Sequence, residues 1–140
     1  MQIEQALYKR LSTYTDLTDL IGTKIYPALI PQGAVYPCMT YQRITTNFNH
    51  HLDGTNALEY TTIQFNIYHT TIANLCAVYD KVVSALQNYT ATVTVNTESI
   101  MIHSCQIINV FDSYDTNTLI YTYTQSYIRQ LELVVWYREV

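Results

Sequence analysis

The sequence predicts an α+β fold: a mostly antiparallel β-sheet with two main helices, about 2–14 and 70–88, packed on one face. Three observations predict it. Residues 70–88 place Ile72, Leu75, Cys76, Tyr79, Val82, Val83 and Leu86 at the spacing of one helix face. Residues 58–69 alternate instead, with Glu59, Thr61, Ile63, Phe65 and Ile67 on one side and Tyr60, Thr62, Gln64, Asn66 and Tyr68 on the other. The first side is the more apolar and is expected to cover the core. Finally, all three prolines and two of the three glycines fall within 21–37, and no linker follows. The 140 residues are therefore expected to form one domain, 1–140.

Each element follows in order. Ile3, Ala6, Leu7, Leu11 and Tyr14 make the apolar stripe of the first helix. The segment TDLTDLIG reads as a short second helical turn, capped by Asp16 and closed by Gly22. TKIYPAL is a short edge strand, because Pro27 has no N–H for a ladder. IPQG fits a type I turn, with Pro31 second and Gly33 fourth. Pro37 holds Tyr36 extended and opens a strand over 38–46. A polar loop over 47–57 carries the Asp53-Gly54 turn signal. After the 70–88 helix, TATVTVNT is β-prone or loop. Residues 98–112 are apolar on both faces and read as a central strand. Residues 112–127 are polar and aromatic, with a turn at Asp115-Thr116-Asn117, and 128–139 form the last strand.

Composition narrows the function. Charged residues are 13% of the chain, about half of the usual ~25%. The net charge is −4, the pI is near 5.4, and the seven Lys and Arg are scattered, with Lys9-Arg10 the one adjacent pair. Gripping phosphates needs clustered cations, so specific nucleic-acid binding is disfavoured. An acidic surface could still let DNA pass without sticking. Cys38, Cys76 and Cys105 are widely spaced and form no zinc knuckle. The start QIEQALYKRL has no apolar leader, and no run approaches membrane-spanning length, so a cytoplasmic protein with no membrane partner is expected.

Catalytic motifs are lacking. No phosphate-cradling glycine loop, nucleophile elbow or zinc-protease helix occurs, and no cofactor is expected. One metal arrangement can be drawn, with His50 and Asp53 joined by His69 or His103; the competing reading is an exposed hairpin tip. His103 and Cys105 lie two apart, hence on one sheet face if the strand is regular, which would allow a Cys–His pair. Cys76 and Cys105 otherwise read as small core residues. The conspicuous excess is tyrosine, 14 of 140 residues. Tyr121, Tyr123 and Tyr127 share one face of an extended segment, with Tyr114 just before. Tyrosine is favoured at protein interfaces and is also an ordinary strand residue; base stacking would need a basic groove beside it.

In order along the chain stand the helix IEQALYKRLS, the segment LTDLIGTKIYP, the proline-opened PQGAVYPCMTYQRI, the strand and helix LEYTTIQFNIYHTTIANLCAVYDKVVSAL, and a final LELVVWYRE. This pattern resembles the tail completion proteins of long-tailed bacteriophages, which include tail terminators and tail-to-head joining proteins. The resemblance implies a non-enzymatic virion protein of the tail or neck, assembled in the host cytoplasm. It would form a homo-oligomeric ring, usually hexameric, that caps the finished tail tube and joins it to the head. Its partners would be the tail tube protein and head-completion or connector proteins, with genomic DNA passing through the lumen. On that basis the candidate subunit or partner interface is Asn47, Phe48, His50, His51, Asp53, Tyr114, Tyr121, Tyr123 and Tyr127. Asp53, Asp112 and Asp115 are candidate lumen acids. The alternatives are a head-completion or connector ring and, from another class, a small metal-dependent enzyme.

Overall fold

Apolar spacing sets the first helix as expected. In the computed structural model, which describes residues 2–48, 59–119 and 122–139, α1 (Ile3–Ser12) buries Ile3, Ala6, Leu7 and Leu11. The Gln2 backbone N–H donates to Gln5 Oε1 at 2.8 Å, occupying one donor at the open start of the helix. In α2 (Thr15–Ile21) the cap position belongs to Tyr14, not Asp16. Asp16 stands inside the first turn, where a carboxylate suits the helix dipole. Gly22 closes α2 at φ +63°, and its N–H reaches Thr18 O at 2.8 Å.

The strands are β1 (Ile25–Pro27), β2 (Cys38–Phe48), β3 (Glu59–His69), β4 (Ala91–Val95), β5 (Glu98–Leu119) and β6 (Thr122–Glu139), with α3 (Ile72–Leu86) after β3. They form one six-stranded sheet in the order β1-β2-β3-β6-β5-β4. Every neighbour is antiparallel except β1 with β2. β1 is an edge strand, as its proline requires. The turn after it is shifted by one residue from expectation. Ala34 N–H donates to Pro31 O at 3.1 Å, so Pro31 is first and Gly33 third, with φ +84°. A third-position glycine with positive φ is what a type II turn demands.

β3 alternates as its sequence does: Thr61, Ile63, Phe65 and Ile67 are buried and the residues between are half-buried. With Leu131, Leu133 and Val135 of β6 and Ile100, Ile102 and Cys105 of β5, they form the sheet side of a single core. The helices cover that face. α3 buries Leu75, Val78, Val82, Ala85 and Leu86. Its buried stripe is rotated from the expected one: Cys76, Tyr79 and Val83 are half-exposed and Ile72 is 54% exposed.

The largest departure lies at 112–127. The expected loop is a continuation of the sheet. β5 and β6 stay in register from Asp112↔Arg129 to Leu119↔Thr122, so Asp115, Thr116 and Asn117 are strand residues rather than a turn. β3 ends against β6 at His69↔Tyr127, and beyond that row β5 and β6 continue as a two-stranded arm. Asn47 and Phe48, expected in a loop, likewise end β2, paired with Tyr60 and Glu59.

Candidate interface at the root of the hairpin arm

Where β5 and β6 leave the rest of the sheet, Tyr114 lies opposite Tyr127 and Asp112 opposite Arg129. The Asp112–Arg129 pair is a fork. Arg129 Nε donates to Asp112 Oδ1 at 2.7 Å and its Nη2 to Oδ2 at 3.0 Å. The guanidinium also sits over the Tyr79 ring, 4.8 Å from its centroid, and Nη1 lies 3.7 Å from Cys76 Sγ. Arg129 thereby ties the arm to the half-exposed side of α3. Its hydrogen bonds hold the Asp112 carboxyl below the usual carboxylate range, and Asp112 in turn keeps the guanidinium protonated. A pocket of about 190 Å³ opens beside the pair, between Ile72 and Leu75 of α3 and Tyr114 and Tyr127 of the arm. Tyr114 is 72% exposed, whereas Tyr127 packs against the core.

The sequence-derived candidates divide between the two ends of the sheet. Tyr114 and Tyr127 meet at the root of the arm. Asn47 lies at the other end, in the row Asn47–Tyr60–Trp136. His50, His51, Asp53 and Tyr121 lie outside the described residues, as do the side chains of Phe48, Asp115 and Tyr123. Asp115 and Tyr123 are strand residues of the arm by backbone pairing, opposite Ser126 and Thr118. Asp112 carries a charge already compensated by Arg129.

The chemistry considered for histidine and cysteine takes a different form. His69 Nδ1 accepts the N–H of Thr70 at 2.8 Å just before α3, and burial together with the Lys24 charge lowers its pKa. His103 and Cys105 do not share a face environment. A bulge between Ile102 and Ser104 breaks the alternation, leaving His103 exposed and Cys105 fully buried. Burial pushes the Cys105 thiol up to about 12 and the Cys38 thiol up to about 11, the wrong direction for a nucleophile. Among the described residues no three His, Cys, Asp or Glu side chains come together as a metal site.

Arg129 was not among the sequence candidates, nor were Ile108 and Phe111, which are exposed on β5. Asp112 and Arg129 stand equally far from the end of the hairpin. Their opposite charges would have been readable as a cross-strand pair once 112–127 was recognised as one hairpin.

No curated protein matches the sequence. Among solved structures, a chain from the virion of a native gene transfer agent particle has the same fold, with a TM-score of 0.61 at 17% identity, covering 97% of this chain and 92% of that one. The family model described as tail completion protein gp17 matches residues 5–127. That match spans α1 through the arm to Tyr127, and the chain belongs to the tail completion protein gp17 family of phage structural proteins.

Proposed function

We propose that the protein forms a ring at the head-proximal end of a phage tail, where it stops growth of the tail tube and provides the surface that joins tail to head. The family match over residues 5–127 carries this reading. The molecule's form is compatible with it. One face of the sheet is covered by helices and holds the core, and the opposite face has no covering layer among the described residues. The arm leaves one end of the sheet, and the row Phe48–Glu59–Tyr137 lies at the other. In a ring, the arm with Tyr114, Tyr121, Tyr123 and Tyr127 contacts the next subunit or an axial partner. The β2–β3 end with Asn47, Phe48, His50, His51 and Asp53 contacts another. Tube protein and head-completion proteins are the axial partners. DNA crosses the lumen unbound, past Asp53 and Asp115, with Asp112 contributing little because Arg129 neutralises it.

Electron microscopy of particles lacking this protein tests the role. Overlong or headless tails are expected. DNA-filled heads that leak, with tails of normal length, would overturn termination in favour of a connector ring. Unchanged, infectious particles would overturn both.

A further inference from the structure

We infer that the pocket at the root of the arm receives the Leu29 side chain of a second copy of this chain, a knob in a pocket that joins one subunit to the next. This rests on the ring reading and specifies its lateral contact.

The pocket selects an uncharged, apolar occupant. Its walls are chiefly Ile72 and Leu75 of α3, Tyr114 and Tyr127 of the arm, and Ile128. Its two ionic groups, Asp112 and Arg129, are matched to each other through the fork. A charged guest would lose water there and find both possible counter-ions already engaged. Size narrows the choice further. An apolar cavity of about 150 Å³ holds a benzene-sized guest, so the 190 Å³ here admits a leucine side chain. The rim faces outward: Ile72 is 54% exposed and Tyr114 72%.

The chain itself carries the matching knob. Leu29 is 80% exposed, the most exposed large apolar side chain among the described residues. It stands in a stretch, 25–42, that contains no charge, so neither side of the contact brings an unmatched ion. The loop around it is held internally. Ala28 N–H donates to Tyr41 O at 2.8 Å, Leu29 N–H to Pro27 O at 2.6 Å, and Ala34 N–H closes the turn on Pro31 O. With those donors engaged, the loop offers a neighbour side chains rather than a backbone ladder. Ala28 sits at φ +61°, a conformation that costs a non-glycine residue about 1 kcal/mol or more and fixes the direction in which Leu29 leaves the chain. A stiff apolar knob loses little freedom on docking.

Knob and pocket belong to different subunits. β2, β3 and β6 separate β1 from β5, about 19 Å at the usual strand spacing, so Leu29 does not reach the pocket of its own chain. Contact between unlike patches on identical subunits is heterologous, and it makes rings or filaments rather than two-fold dimers. Register favours the ring. The chain leaves β1 on the row Pro27–Tyr41–Phe65–Leu131–Val110 and returns on the row Cys38–Tyr68–Ile128–Ser113. The Leu29 loop on one side of the molecule is therefore level with Val110–Ser113 on the other, beside the pocket. Repeating the contact adds no offset along the strands.

The test is thiol crosslinking of the full-length protein with a short bis-maleimide, in solution over a concentration series and on purified tails. Leu29→Cys and Ile72→Cys are placed in one chain, and also in separate chains that are then mixed. Both are made on a Cys76→Ser background, which removes the one native thiol that is not buried. The double variant is expected to give a ladder of covalent multimers, and the single variants dimers only when mixed. Leu29→Lys is expected to raise the concentration needed for oligomers by at least about tenfold, with unchanged melting because Leu29 touches little of its own chain. Oligomers in which positions 29 and 72 do not join, or that form as readily with Leu29→Lys, overturn this contact and leave the ring reading standing. Bridges between two Leu29→Cys chains also overturn it, in favour of a two-fold pairing of the loops. On tails, Ile72→Cys joined to a different protein overturns it by giving the pocket to an axial partner. A chain that stays single in solution and is absent from tail ends overturns the ring reading, and this contact with it.

Discussion

Replacing Arg129 by methionine should detach the root of the hairpin arm from α3 while preserving most of the side chain's apolar stem. The side chain of Arg129 is 16% exposed and that of Asp112 is 57% exposed, so solvent screens the carboxylate end of the pair. An exposed ion pair is worth about 0.2–1 kcal/mol; the two-bond fork and the shielded guanidinium place this one near the top, about 1 kcal/mol. The guanidinium over Tyr79 adds about 0.5–1 kcal/mol. Arg129→Met is thus expected to cost about 1.5–2 kcal/mol, which for a chain of this size lowers Tm by roughly 5–7 °C. A double-mutant cycle with Asp112→Asn, followed by urea unfolding at neutral pH, should return a coupling of about 1 kcal/mol. The sign with pH follows from Asp112, whose folded pKa lies below its unfolded value. The pair's stabilisation is complete above the unfolded carboxylate pKa and is lost as pH falls through the folded one. The gap between wild type and Arg129→Met should therefore narrow in acid, leaving the cation–π share. A coupling below about 0.3 kcal/mol, or a gap that does not change with pH, would refute the fork as a stabilising contact.

Three further outcomes are expected. Alanine at Tyr114, Tyr121 and Tyr123 should impair assembly more than folding; unchanged assembly with a lowered Tm would mark these tyrosines as sheet residues only. A thiol reagent at pH 8 should label Cys76 first, with Cys38 and Cys105 reacting only on unfolding, since burial raises their pKa values to about 11 and about 12; mass spectrometry showing early Cys105 labelling would contradict this. His69 has a lowered folded pKa, so its contribution is complete above the usual imidazole pKa of about 6.5 and declines as pH falls through the folded value. His69→Asn should flatten the loss of stability between pH 7 and pH 5, and an identical pH profile in the variant would exclude His69 as its source.

The parts of the fold that were legible in the sequence are those whose burial is one-sided. β3 alternates because one of its faces meets the helices, and its burial repeats that alternation residue for residue from Thr61 to Ile67. α3 was legible as a helix, but its orientation was not. Ile72, Cys76, Tyr79 and Val83 carry as much apolar character as Leu75, Val78 and Val82, and only packing against β3 and β6 decides which row goes inside. The arm was illegible because a two-stranded projection has no core face to impose a period. Its threonines and tyrosines are good strand formers, yet Asp115-Thr116-Asn117 has the composition of a turn. The bulge at His103 could not be anticipated either, and it undoes any inference from even spacing across it. The candidate site was legible only in part. Tyrosine excess pointed to the arm, but the Arg129 fork depends on a register that the sequence does not display until the hairpin is recognised.

The face of the sheet away from the helices has a practical use. Trp136 is the chain's one tryptophan, half-buried on that face, with its ring 4.5 Å from that of Tyr60. Tyrosine emission at that distance passes to the indole, so the whole molecule fluoresces largely through a single site. The colour and anisotropy of that emission register whatever comes to lie against that face, with no dye attached and no residue changed.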